Sequence, residues 1–197
     1  MAYAGQILDN PVTGERITFR RTAADTVGAA LEFDLELAPD GHVPGKHVHP
    51  SQEERFQVVS GTMKFKMGRK TIVAGPGEVV VVPAGTAHKF ANGGDETAHV
   101  RVQVTPALRM EDLLETATRL AIEGRTNKKG MPRPLDFALF VREFENEVVG
   151  AFPPVWVQKA TMAPVAWIAR NRSLPGTSVR PSRPAIARPS GSHAAIA

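Results

Sequence analysis

Residues 41–61 read GHVPGKHVHPSQEERFQVVSG, a segment that places metal-binding residue types at strand spacing. His47 and His49 are two positions apart, so on a β-strand both side chains leave the same face. Glu54 follows His49 by five residues, across a short turn that contains Pro50, and it begins a run of strand-forming residues. Two imidazoles and a carboxylate that converge inside a barrel suit a divalent metal ion.

A second segment, residues 77–92, reads GEVVVVPAGTAHKFAN. The run Val79–Val82 is continuously apolar and β-branched, which predicts a strand that is covered on both faces. The chain then turns at Pro83 and Gly85 and enters another strand with His88. We expect this turn to aim His88 inward, at the same point as the two histidines and the glutamate of the first segment.

Strand patterns surround these two segments between residues 12 and 106. Apolar and polar residues alternate there with a period of two, as a half-buried strand requires. The apolar positions form three runs: Leu31, Phe33, Leu35 and Leu37; Met63, Phe65 and Met67; and Val100, Val102 and Val104. Turn signals such as Asp40-Gly41 separate the runs. Many short strands at regular spacing favour a β-sandwich or a β-barrel.

Beyond residue 106 the apolar period becomes helical. The first predicted helix has Met110, Leu113, Leu114 and Ala121 at helical spacing and stops near Gly124. A second is expected over about residues 135–149, with Phe137, Phe140, Phe144 and Val148 on one face. A third segment carries Trp156 and Trp167. We expect these apolar stripes to pack on the barrel or across a partner subunit, with the acidic residues, Glu147 among them, mostly on helix surfaces.

The composition is that of a globular chain with a basic end. Hydrophobic residues make up 42% of the 197 residues, and the absence of Cys excludes disulfides, thiolate zinc sites, iron–sulfur clusters and a cysteine nucleophile. The net charge of +4 arises after Glu147, where six basic and no acidic residues occur, so that residues 1–147 carry −2. Residues 173–197 are rich in Pro, Ser and Arg and are predicted to be a disordered tail.

Several classes of function lack their sequence signals. There is no nucleophile-elbow, P-loop or dinucleotide-binding motif. The basic tail lacks interleaved aromatic residues, so we expect no nucleic-acid partner. No signal peptide or membrane span is visible, and we expect a cytoplasmic protein. An interfacial membrane helix around Trp156 and Trp167 is the alternative to packing of that segment on protein.

Together, the two metal-binding segments resemble the two conserved motifs of the cupin superfamily. The first motif is matched by Gly41, His47, His49, Glu54 and Gly61, and the second by Gly77, Pro83, Gly85, His88 and Asn92. The resemblance implies a mainly β, double-sheet jelly-roll β-barrel in which His47, His49, Glu54 and His88 bind one divalent transition metal (Fe, Mn, Ni, Cu or Zn). It also implies self-association, and we expect a homodimer. The expected organisation is a cupin barrel over residues 1–106, a C-terminal α-helical extension over residues 107–172, and the tail over residues 173–197.

Side-chain parity identifies candidate substrate-binding residues. Phe56 and Val58 share the inward parity of Glu54, Phe90 shares that of His88, and Met63 and Phe65 lie on an adjoining strand. These side chains predict a largely apolar cavity around the metal that suits a small hydrophobic or aromatic molecule. The alternative is that they simply fill a small barrel.

The functional expectation is a metal-dependent oxygenase, such as a dioxygenase that cleaves a ring or a C–C bond. Metal-assisted isomerisation or lyase chemistry is the next enzymatic alternative. A module that binds a metal or a small molecule without turnover is the non-catalytic alternative.

Overall fold

Strands dominate the computed structural model of the chain, which describes residues 1–151. The third predicted helical segment with its two tryptophans and the predicted tail of residues 173–197 lie outside the described residues. Neither helix in the described part of the chain has the length and hydropathy of a membrane-spanning segment.

Eleven strands and two helices follow one another along these residues. The strands are β1 Ile7–Asn10, β2 Glu15–Arg21, β3 Leu31–Leu37, β4 His47–Val48, β5 Glu53–Ser60, β6 Met63–Met67, β7 Lys70–Ala74, β8 Val79–Val82, β9 His88–Asn92, β10 Ala98–Thr105 and β11 Val149–Gly150. The helices are α1 Met110–Ile122 and α2 Pro134–Glu143, both between β10 and β11.

The strands form two antiparallel sheets. One has the order β1-β2-β3-β10-β5-β8, and the other has the order β11-β4-β9-β6-β7. Crossovers between the sheets, rather than simple hairpins, place β10 between β3 and β5 and place β4 beside β9. This double-sheet, mainly β architecture with a C-terminal helical extension confirms the predicted jelly-roll fold.

The hydrophobic core lies between the two sheets. Phe56 of the first sheet packs its ring against Phe65 and Phe90 of the second, at centroid distances of 5.1 and 5.3 Å. Such tilted and edge-on aromatic contacts add to the burial of apolar area. The alternating residues of β3 and β10 extend this core, with Leu31, Leu35, Leu37, Val100, Val102 and Val104 each at most 1% exposed.

One strand departs from its sequence pattern. Val79–Val82 is not covered on both faces as predicted, and among the described residues β8 is an edge strand that pairs with β5 alone. Val80 and Val82 are buried, whereas Val79 is 40% exposed. A continuous apolar run therefore marked an edge strand with one buried face.

Two motif residues outside the ligand set have structural roles. Gly61 adopts a positive φ of 76°, and a Cβ there would lie 2.7 Å from the backbone of Ala98. Only glycine fits both conditions without strain. Asn92 donates through its side-chain amide to the carbonyls of Leu37, Ala38 and Glu96, so it fastens the end of β9 to the neighbouring loops.

The two helices follow the sequence signals in part. Helix α1 ends as predicted, with Gly124 at a positive φ of 66° just beyond it, a common way of ending a helix. Helix α2 is shorter than the predicted residues 135–149. It begins with Pro134 in its first turn and ends at Glu143, and the chain then turns to place Val149 in β11.

Both helices pack on the barrel within the same chain. Helix α1 lies against β1, where the Gln6 side chain donates to Glu115 at 2.7 Å. After α2, Phe144 is fully buried, its ring 5.1 Å from that of Phe140 and beneath the Arg109 guanidinium at 5.2 Å. Apolar burial and this cation–π contact both hold the segment that follows α2 in place.

Replacing Phe144 tests how much the extension contributes to stability. We expect Phe144→Ala to lower the free energy of unfolding by about 3–5 kcal/mol, because the change leaves a large cavity in a fully buried position. The control is Ile122→Ala at the end of α1, where the side chain is 66% exposed and the change should stay within about 0.5 kcal/mol. Chemical denaturation of both variants measures the difference, and equal losses would contradict a packed extension.

Candidate metal centre

Four side chains, three on strands and one directly after a strand, come together inside the barrel. His47 lies on β4, opposite His88 on β9, and Glu54 lies on β5 in the facing sheet. His49 follows β4, and its carbonyl accepts a hydrogen bond from the Gly85 amide at 2.8 Å, which joins the two motif segments. One nitrogen or oxygen of each of the four side chains lies within 4.8 Å of the others.

Each histidine of this quartet turns its Nδ1 toward a backbone carbonyl. The distances are 3.0 Å from His47 to Gly45, 2.5 Å from His49 to Glu147 and 3.0 Å from His88 to Thr86. A carbonyl only accepts hydrogen bonds, so each contact places the imidazole proton on Nδ1. The Nε2 lone pairs are thereby free for a metal, the arrangement that metal-binding histidines generally show.

The centre of the quartet contains buried polar atoms without hydrogen-bond partners. Among the described residues these include Nε2 of His49, Nε2 of His88 and Oε2 of Glu54. Oε2 of Glu54 lies 2.8 Å from Nε2 of His88 and 3.4 Å from Nε2 of His49, without the alignment of a hydrogen bond. Unpartnered buried polar atoms are costly, and a cation at their centre would compensate all of them, so the donor set fits a metal.

Burial and mutual charge shift the protonation of the quartet. Burial, together with the neighbouring His49 and His88, lowers the pKa of His47 to about 4. Burial alone would raise the pKa of Glu54, but His49 and His88 outweigh it and hold that pKa below its usual value. Burial alone would lower the pKa of His88, but the adjacent Glu54 carboxylate outweighs burial and holds that pKa above its usual value. His47 is thus a neutral ligand, and Glu54 an anionic one, at neutral pH.

A cavity of about 210 Å³ opens beside the quartet, between the barrel and the helical extension. A cavity of this volume can hold one small organic molecule. Barrel and extension both contribute to its walls, which are mostly apolar. The lining includes Phe33, Leu35, Phe56 and Phe90 from the barrel and Met110, Leu113, Phe137, Phe140 and Val148 from the extension.

The predicted substrate-binding residues fall into two groups. Phe56 and Phe90 line the cavity. Val58, Met63 and Phe65 are at most 1% exposed in the core between the sheets and are not among the lining residues. These three side chains fill the barrel, as in the alternative interpretation of the sequence.

Sequence reasoning missed the contribution of the extension to the site. Glu147 was expected on a helix surface, but it is 3% exposed and lies after α2, with its carbonyl against His49. No local pattern could have indicated this contact, because the two residues are 98 positions apart. The helical stripe of Phe137, Phe140 and Val148 was predicted, but its position on the cavity was not.

Glu15 is a second residue that sequence reasoning missed. It lines the cavity on β2, where it shares the inward parity of Ile17 and Phe19. That parity was its only sequence signal. Burial raises the pKa of Glu15 to about 6, although the Thr13 hydroxyl donates to its Oε2 at 2.7 Å. Lys46, the other ionisable lining residue outside the quartet, directs its amine to the Gly68 carbonyl.

Comparison with known proteins agrees with this architecture. Residues 33–104, which contain all four ligands, match the family model described as a cupin domain. A polyketide synthase CurC from Streptomyces cyaneus is 30% identical over 82 residues, which are 41% of this chain and 53% of that protein. The chain therefore spans about half the length of this curated relative.

Two solved structures are similar to about half of this chain. A predicted oxalate decarboxylase from Thermotoga maritima is 19% identical with a TM-score of 0.47, over 52% of this chain and 92% of that one. KdgF from Halomonas sp. is 15% identical with a TM-score of 0.46, over 54% of this chain and 92% of that one. With the family match, the two-sheet fold and the motif residues in place, the part of the chain that includes residues 33–104 is a cupin domain.

Proposed function

We propose that this protein is a mononuclear metal-dependent enzyme of the oxygenase class that acts on a small, apolar organic molecule. The observation that carries the proposal is the quartet of three Nε2 atoms and one carboxylate beside a cavity with mostly apolar walls. The volume of about 210 Å³ suits a substrate built around a single ring. The curated relative is named for polyketide synthesis, so small aromatic polyketides belong among the substrates to test.

The quartet would hold one divalent ion of Fe, Mn, Ni, Cu or Zn. When bound, such an ion supplies Lewis-acid chemistry and, for every one of these metals except Zn, redox chemistry. The chain's own residues orient the ligands through the three carbonyl contacts, and Phe56 and Phe90 exclude water from the substrate side. The absence of Cys and the nitrogen–oxygen donor set disfavour Cu(I).

Glu15 favours a second candidate, a metal-dependent isomerase or lyase. A carboxyl group with a pKa near 6 in the same cavity can accept or donate a proton close to neutral pH. Isomerisation and elimination both require a group that moves a proton on the substrate, and Glu15 is placed to do this. Oxygen consumption separates the two candidates, as described below.

Replacing the quartet histidines tests metal binding. We expect His47→Ala and His88→Ala to lose most of the bound metal, because each removes one of four ligands from a buried site. The matched control is His42→Ala, since His42 lies in the same loop region but outside the quartet and should retain full metal content. Elemental analysis of protein purified without added metal provides the measurement. Full occupancy in both quartet variants would refute the assignment.

Turnover distinguishes the classes of function. We expect the metal-loaded protein to consume O₂ with members of a panel of phenols, diketones and small aromatic polyketides, and His88→Ala to abolish the consumption. Conversion of a substrate without O₂ uptake, lost in Glu15→Gln, would favour the isomerase or lyase. Tight binding of metal and ligand with no conversion would show a non-catalytic binding module.

The raised pKa of Glu15 predicts a pH-dependent stability. The folded state binds this proton more tightly than the unfolded state, whose carboxyl has a pKa near 4.5. The contribution of Glu15 to stability is thus complete below pH 4.5 and is lost as the pH rises through about 6. Glu15→Gln stays neutral and can keep the Thr13 contact. We expect it to match the wild type at pH 4 and to exceed it at pH 8 by on the order of 1 kcal/mol, allowing for partial solvent exposure.

Chemical denaturation between pH 4 and pH 8 measures this difference. The matched control is Glu53→Gln on the exposed face of β5, which should stay within about 0.5 kcal/mol of the wild type throughout. A Glu15→Gln protein whose stability follows the wild type at every pH would show that the carboxyl is well solvated.

A further inference from the structure

We propose that residues 147–151 of the helical extension, here called the strap, position the ligands of β4, and that metal binding and docking of the strap stabilise each other. The proposal rests on the metal site proposed above and deepens it. The strap lies outside residues 33–104, the part of the chain that matches the cupin model. It therefore adds to this site a feature that the matched domain does not contain.

The strand that carries the ligands is short and depends on the strap for backbone partners. Strand β4 has two residues and meets β9 through the single pair His47 and His88. On its other side β11 pairs Val149 with Val48 and Gly150 with His47. The amide of Ala151 also donates to the Lys46 carbonyl at 3.3 Å. The strap thus flanks β4 along its whole length.

His49 depends on the strap for the orientation of its ring. The carbonyls that accept hydrogen bonds from Nδ1 of His47 and of His88 lie only two residues earlier in the sequence. The carbonyl for His49 comes instead from Glu147, at 2.5 Å and 98 positions away in the sequence. If Glu147 moved, the His49 ring would lose the contact that holds its proton on Nδ1. Contacts of this kind set both the tautomer and the direction of a metal ligand.

The Glu147 carbonyl is itself held in place by the side chain of the same residue. Its Oε1 accepts a hydrogen bond from the Arg109 amide at 3.2 Å, immediately before α1. The Arg109 guanidinium in turn donates to Glu143 at 2.8 Å, near the end of α2. Glu147 is 3% exposed, so its carboxylate joins the two helices beneath the surface. Glu147 therefore connects both helices to His49 through hydrogen bonds.

This geometry implies that metal binding and docking of the strap are thermodynamically linked. If the docked strap raises the affinity for metal, bound metal must raise the stability of the docked strap by the same factor. A purely structural Glu147 would behave differently. Its removal would lower the melting temperature but would leave the metal affinity of the folded protein unchanged.

The test compares Glu147→Ala with Glu147→Gln in the full chain, with Co²⁺ alone as the probe. Glutamine retains an oxygen acceptor for the Arg109 amide, whereas alanine does not. We expect Glu147→Ala to weaken Co²⁺ binding about tenfold and to alter the visible spectrum of the bound ion, as losses around metal ligands generally do. Glu147→Gln should stay within about twofold of the wild type. In the wild type, Co²⁺ should also slow amide hydrogen exchange in residues 147–151.

A second pair of variants guards against poor folding of Glu147→Ala. Ala151→Pro removes the amide that donates to Lys46, and Ala151→Ser keeps it. Of these two variants, we expect only Ala151→Pro to bind Co²⁺ more weakly than the wild type. Two results would overturn the proposed role of the strap and leave the proposed metal site intact. One is wild-type Co²⁺ affinity in both Glu147→Ala and Ala151→Pro. The other is amide hydrogen exchange in residues 147–151 that Co²⁺ does not slow. Failure of the wild type to bind Co²⁺ through His47 would overturn both proposals.

Discussion

The desolvation of four polar side chains at one point is the constraint on which this site depends. Glu54, His49 and His88 are all less than 9% exposed, inside a barrel whose core is mostly apolar. A group buried in this way is tolerated only when its hydrogen-bonding capacity is met. Backbone carbonyls meet it on the outer side of each imidazole, at Nδ1. On the inner side the unpartnered atoms of His49, His88 and Glu54 would be compensated by a bound metal, so stability and metal affinity would arise from the same atoms.

The barrel and the helical extension contribute different parts of the site. The barrel supplies the ligands from strands fixed by its two sheets, and the extension supplies one carbonyl, one flanking strand and one wall of the cavity. All four quartet residues thus come from the barrel, whereas the apolar walls of the cavity come from both parts of the chain. A change in Phe137 or Phe140 would alter the shape of the cavity while leaving the quartet as it is.

The sequence was informative wherever the information was local. Alternation predicted β3, β6 and β10, and the spacing of His47, His49, Glu54 and His88 predicted their convergence. It was uninformative wherever a contact joined distant segments. After α2 the chain turns into β11, which pairs with β4 about a hundred residues earlier, and the buried Glu147 lies next to that pairing. An inward side chain can line the cavity, as Phe56 does, or fill the core, as Val58 does. Which of the two occurs depends on how closely the facing sheet packs over that position, and this is not a local property of the sequence.

The distance in sequence between His49 and Glu147 has a consequence for the order in which the site is completed during synthesis. His88 is the last of the four ligands to be translated, and Glu147 follows it by 59 residues. At roughly 5–20 residues per second the ribosome takes several seconds to cover that interval. A nascent chain therefore contains all four quartet residues before it contains the carbonyl that orients His49, and under the proposed role of the strap tight metal capture would follow only after residues 147–151 have emerged and docked.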